Sequence, residues 1–445
     1  MISFLQSQKA YLVLLFLLSI GIGLQIALYK LATIFLFLQW LISKDFKKKF
    51  IKLKQNIFAI GMIVFYFLYF LSWFWSDNGA EAISDLILKL PILILPLVIL
   101  SQKIPSSRQL NQLFVSFAFA SLAINLYSFF EAYLLYIETN NINRLYYSNL
   151  TVNMHTSAQA MFTCFSIVIF VYTLSKERIF NKKLALYFSI AIQMIFIFLL
   201  SSRMQILIMA VLIPAYLITF YYNKQKTIIG VLYTILIFGF SYFLIITTPS
   251  TLNARYSKTV SQINSLQIDN GNYDARIFIW KEALEVIKNN WLLGTGAGDN
   301  KDILVDRYLQ FLLDNQVTKS SIDTTINDFQ NKTATNDLLG THAKKLLEKR
   351  NRHYKNAYQR KYNFHNQYLQ TFGTIGIFGF LVLFLLMVYP LFLSIKDKNY
   401  LAVSFLFILG ASCLTESIFE RQAGVAFYAL FYVLIVGRIS MNRPS

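Results

Sequence analysis

TIGIFGFLVLFLLMVYPLFLSI, residues 374–395, contains no charged side chain and, coiled as a helix, is long enough to cross the hydrocarbon of a bilayer. Reading outward from it, similar apolar runs recur along the chain. They are expected at 10–26, 28–43, 56–74, 83–101, 111–136, 156–175, 184–201, 204–222 and 227–247, and after a long polar interval at 374–395, 399–415 and 422–438. The first run lacks a small-residue cleavage site after it and reads as a retained span. The expected fold is an all-α, polytopic integral membrane protein of about 12 transmembrane helices, nine within 1–247 and three within 366–445. Between them, 248–365 is expected to form one large, mainly helical loop outside the cytoplasm.

Composition agrees with that reading. The 445 residues are 56% hydrophobic and 16% aromatic, with a mean hydropathy of +0.50. Only 14% are charged, against about 25% in ordinary soluble domains. A disordered chain, a secreted disulfide scaffold and a cytosolic domain are thereby excluded. The two cysteines, Cys164 and Cys413, both lie in apolar runs and imply no disulfide framework.

The net charge of +19 would suggest nucleic acid in a soluble protein, but here it follows topology. With both termini inside, the cytoplasmic segments hold 19 Lys and Arg, while the short outer segments hold only Lys30, Arg144, Arg203 and Arg421. A miscounted span would invert every later segment and erase this asymmetry. The run Lys44, Lys47, Lys48, Lys49, Lys52 and Lys54 is the strongest anchor. No nucleic-acid partner is expected.

Ionisable groups at membrane depth are costly and become candidates for function or pairing. Lys89 lies mid-span and reads as a lysine that snorkels or pairs inside the bundle. LLSSRMQILIMAV (199–211) turns between two spans and holds Arg203 at the lip of the bundle. In DARIFIWKEALEVIKNNWLLGTGAGDN (274–300), a helix capped by Asp274 would present Arg276 in its first turn. A cation there opposes the helix dipole, a penalty offset if it faces an anion. The Gly294–Gly298 run resembles a phosphate loop only superficially, because it follows a helix rather than a strand; a flexible turn back towards the membrane accounts for it better. From Lys344 to Lys361 there are eight basic residues, including Arg352 and Lys361, and one acid, Glu348. That segment reads either as a helix lying on anionic lipid or as an electropositive mouth that attracts a phosphorylated lipid. His365 ends it where the chain re-enters the bilayer. No histidine pair has zinc-site spacing, so neither metal nor cofactor is expected.

HNQYLQTFGTIGIFGF (365–380), together with RIFIWKEAL (276–284) and LLGTGAG (292–298), resembles the O-antigen ligase superfamily, which includes O-antigen ligases and O-antigen polymerases of bacterial envelopes. LTESIFERQAG (414–424) is similar to members of that group as well. The resemblance implies catalytic roles for Arg203, Arg276 and His365. The expected substrate-binding residues are Arg203 and Arg276, with Arg352 and Lys361 from the basic segment and Glu416 and Arg421 from 414–424. The resemblance also implies a donor glycan on undecaprenyl pyrophosphate, a lipid A-core acceptor and a site on the periplasmic face of the bacterial inner membrane. The chemistry is coherent: pyrophosphate is already a good leaving group, guanidinium groups neutralise its developing charge, and an imidazole takes the acceptor proton near neutral pH. A ligase is the expected activity. The alternatives are a polymerase that elongates the lipid-linked glycan and a transporter or flippase of lipid-linked sugars, although no repeated halves are visible in the sequence.

Overall fold

The computed structural model describes residues 7–43, 45–152, 154–222, 275–314 and 351–441. Every regular element among them is helical. Eleven of the twelve expected spans coincide with helices; the one expected at 227–247 lies outside the described residues, as do Asp274, His342 and most of the polar stretch before Arg352. In chain order the helices are α1 (Gln8–Leu24), α2 (Leu28–Ile42), α3 (Phe46–Lys54), α4 (Ile57–Ser72), α5 (Gly79–Ser101), α6 (Ser107–Thr139), α7 (Thr156–Leu174), α8 (Phe180–Leu200) and α9 (Arg203–Tyr222). They continue with α10 (Ala275–Asn289), α11 (Asn300–Asp314), α12 (351–359), α13 (Gln367–Lys396), α14 (Tyr400–Cys413) and α15 (Gln422–Ile435). Among the described residues seven helices are long and apolar enough to cross a membrane, and four more are shorter apolar helices. The molecule is a multi-pass helical membrane protein.

The chain divides into two compact units. The first is formed by the described residues up to 67, within 87–252 and within 382–445; the second combines 68–86 with the described residues of 253–381. The strip 68–86 thus packs with the loop region.

In the first unit α15 is apolar all round, and every residue from Gly424 to Ile435 is buried. A helix of that character belongs at the centre of a bundle. Aromatic side chains from α6, α7 and α14 meet it. Phe117 lies 4.7 Å from Phe431, Phe162 lies 4.6 Å from Phe427, and Phe405 lies 5.9 Å from Phe427. A polar thread crosses the same apolar interior. The Asn125 amide donates to Thr163 (2.9 Å) and Gln193 (2.6 Å), and Gln159 donates to Asn125 (2.8 Å). Such interhelical bonds hold helices together where lipid offers no hydrophobic drive for their association. Lys89 is fully buried and pairs with Glu420 at 3.3 Å, which bears out the paired alternative for that lysine. Cys164 and Cys413 are buried free thiols.

The second unit has its own apolar core, built from Ile279, Ala283, Val286 and Ile287 of α10, Leu304, Val305, Tyr308 and Leu312 of α11, Tyr354 and Ala357 of α12, and Phe364.

Candidate functional site

Three local devices organise the second unit. The first surrounds Glu282, a carboxylate only 4% exposed. Arg307 approaches one of its oxygens through two nitrogens, at 3.1 and 3.2 Å, and the Tyr354 hydroxyl donates to the other at 2.8 Å. This ties α10, α11 and α12 together at one point. Burial pushes the Tyr308 phenol well above the ordinary tyrosine range, and the neighbouring Glu282 carboxylate and Tyr354 push it further. Glu282→Ala removes the acceptor from a buried hydroxyl and a partly buried guanidinium. It is expected to destabilise this unit by about 2–3 kcal/mol. Glu282→Gln, which keeps the Tyr354 bond, should cost less; thermal melts and limited proteolysis between α11 and α12 read the difference.

The second device is the glycine-rich turn. Its backbone groups are committed to protein partners: Gly294 N–H to the Asn290 carbonyl (2.9 Å), Thr295 N–H to that of Gly373 (2.8 Å), Gly296 N–H to that of Thr374 (3.0 Å), and Gly298 N–H to the Ser76 hydroxyl (2.8 Å). The turn is therefore held in place rather than loose, and these four N–H groups, which a phosphate cradle would use, are already engaged. In return, α13 is broken where it meets the turn. Ile375 and Gly376 leave helical geometry, Gly376 has φ +66°, and the Ile377 N–H donates to the Trp291 carbonyl at 2.9 Å. A break in an apolar helix is tolerated only where the freed backbone groups find partners, and here the turn supplies them. Asp299 completes the lock by accepting from the Ser76 hydroxyl (3.1 Å) and from the Asp77 and Asn78 N–H groups (2.8 Å each).

The third device fixes His365, a half-buried residue with φ +46°, in the left-handed region. Its N–H donates to the Asn363 side chain at 3.1 Å. Asn366 caps α13 by accepting from Tyr368 and Leu369 N–H, and the Gln370 side chain accepts from the Phe364 N–H. Tyr362 meets the imidazole edge-on, with centroids 5.3 Å apart. The histidine is therefore held from both sides by a polar turn. The density of that turn, N-F-H-N-Q-Y-L-Q, is plain in the sequence, whereas its supporting role emerges only from the fold.

The other expected residues lie as follows. Arg276 is half-buried in the first turn of α10, as the sequence implies. Arg352 is exposed on α12; Lys361 is exposed, with φ +47°, and lines an open cavity of about 640 Å³ together with Asp302, Asp306 and Tyr358. In the first unit Arg203 opens α9 after a two-residue link, Ser201–Ser202, and is half-buried. Buried Glu416 accepts from the Ser157 hydroxyl at 2.9 Å and shares a small cleft with His155, Ser417 and Arg421. Among the described residues no group of three His, Cys, Asp or Glu side chains is arranged to hold a metal.

The described residues thus combine an apolar helical bundle with a separately cored unit, with guanidinium groups at helix starts and a histidine fixed in a polar turn, in a multi-pass membrane protein. Residues 186–324 match the family model described as O-Antigen ligase, so this segment is similar to the O-antigen ligase and polymerase superfamily. Arg203, Arg276 and the glycine-rich turn lie within the match; His365, Arg352, Lys361, Glu416 and Arg421 lie beyond it. No curated protein matches the chain.

Proposed function

We propose that this protein is an O-antigen ligase that moves a glycan from undecaprenyl pyrophosphate to lipid A-core at the periplasmic face of the inner membrane. One observation carries the reading. Ile279, three residues after Arg276, and Phe364, next to His365, belong to the same buried core. The two candidate groups therefore grow from one frame, as an active pair requires. In the reaction the acceptor hydroxyl oxygen bonds to the anomeric carbon while the bond from that carbon to the phosphate oxygen breaks. His365 takes the hydroxyl proton, and undecaprenyl pyrophosphate leaves with the electron pair. Arg276 and Arg203 neutralise the charge that develops on it. Displacement in one step inverts the anomeric carbon. Arg352, Lys361, Glu416 and Arg421 bind the substrates.

The test uses purified full-length protein with both lipid substrates in the presence of EDTA. Glycosylated lipid A is the expected product, and its rate should change by less than about twofold on chelation, because the guanidinium groups do the work a metal would otherwise do. If only the carrier-linked glycan lengthens, the protein is a polymerase; if no sugar moves and the lipid merely changes leaflet, it is a transporter.

A further inference from the structure

Helix α3 reads FKKKFIKLK and presents two unlike faces. Lys49 and Leu53 are buried in the first unit, whereas Phe46, Phe50 and Ile51 are exposed beside the exposed Lys47, Lys48, Lys52 and Lys54. The buried lysine explains how the helix is held. Lys49 Nζ donates to the Trp40 carbonyl (2.7 Å), the Ser43 carbonyl and the Ser43 hydroxyl (2.7 Å). It also stands 4.4 Å from the Phe46 ring centre and 4.9 Å from that of Trp40. Those acceptors form the C-terminal end of α2, where the last carbonyls lack intrahelical donors and the helix dipole favours a cation. Lys49 thus caps α2 and pins α3 to its end.

That attachment sets the height of α3 relative to a bilayer. The outer face of α2 exposes Leu31, Ile34, Phe35, Leu38, Leu41 and Ile42, the surface of a helix that faces lipid. A helix fixed to its last turn lies where the hydrocarbon gives way to headgroups. The single acid within residues 28–57, Asp45, is 4.0 Å from Lys48 with both side chains exposed, a pair too weak to neutralise the patch. Four solvated ammonium groups interleaved with two aromatic rings and an isoleucine, held at an interface, match the chemistry of anionic phospholipid: headgroup for the lysines, upper acyl chain for the rings.

We infer that α3 is a binding site for anionic phospholipid, gathering these headgroups at the end of α2. The inference does not rest on the glycan-transfer reading. Purified full-length protein in zwitterionic micelles is titrated with phosphatidylglycerol or phosphatidylcholine, and bound lipids are counted by native mass spectrometry. The wild type is expected to prefer phosphatidylglycerol at least tenfold. The K47Q/K48Q/K52Q/K54Q variant is expected to lose at least about tenfold in that affinity, since each lysine near an anionic surface contributes a factor of about five. The corresponding fourfold arginine variant keeps it. Equal affinity for the two lipids in the wild type, or unchanged affinity in the glutamine variant, overturns the proposal. A phosphatidylglycerol with a photoreactive headgroup gives an answer that does not depend on any variant's folding. Labelling within 46–54 of the wild type supports the site, and labelling confined to other helices refutes it.

Discussion

Arg276→Ala and His365→Ala each lower the rate of glycan transfer by at least about a hundredfold while the protein still reaches the membrane and melts at an unchanged temperature. The magnitude follows from the roles. Removing one preorganised charge from a developing pyrophosphate costs on the order of a hundred- to a thousandfold, and losing a positioned base costs a similar factor. Folding should survive both changes, because neither side chain belongs to the core that holds the second unit, which rests on Ile279, Leu304, Tyr308, Tyr354 and Phe364. The conservative replacements separate chemistry from structure. Arg276→Lys keeps the charge but not the planar fork, so it should recover part of the rate; His365→Gln keeps the volume and should recover none. Arg203→Ala is expected to behave as Arg276→Ala does. Full activity in the Arg276 and His365 alanine variants would show that the site lies elsewhere.

The largest expected structural effect comes from the lock between the glycine-rich turn and α13. Gly376 has φ +66°, and a methyl group there would sit 2.1 Å from the Leu292 carbonyl oxygen; at Gly298 it would sit 2.0 Å from that of Asn78. Both obstacles are backbone atoms, which cannot swing aside as a side chain can. Gly376→Ala therefore combines a disfavoured conformation with a steric clash, and a loss of about 3–5 kcal/mol is expected. Gly298→Ala should lose a similar amount from the clash alone. Gly79→Ala, whose added carbon would meet nothing closer than 3.6 Å, serves as the control and should melt within about a degree of the wild type. Melting curves in detergent distinguish the three, and an unaltered melt for Gly376→Ala would mean that the break in α13 is not needed for the fold.

Much of the fold is legible in the sequence because a bilayer imposes a simple rule: an apolar stretch of sufficient length becomes a helix whatever its neighbours do. Helix α3 escapes that rule. In the sequence its lysines stand out only as a charge anchor, although Phe46, Phe50 and Leu53 already have helical spacing. The break in α13 escapes it too, since Gly376 sits in an unbroken apolar run and only the pairing of this stretch with Trp291 and Thr295 shows why the helix stops there. At the site, the residue types bearing charge and proton transfer stand out by their cost and position, as Arg203, Arg276 and His365 do. Their supports do not. Ser76 and Asp299 lie more than two hundred positions apart, and Glu282 needs Arg307 and Tyr354 to be tolerated in a core. Such pairings depend on how the chain folds back on itself, which periodicity does not encode.

Helix α15 has a consequence for biogenesis. It is the innermost strut of the first unit, yet the ribosome makes it after α6, α7 and α14, whose phenylalanines surround it. Until residues 422–435 emerge, those helices lack the strut against which their phenylalanines pack, and its arrival fills that interior. A nascent chain arrested just before that point would be inserted but unfinished, the state in which membrane quality control can most easily recognise it.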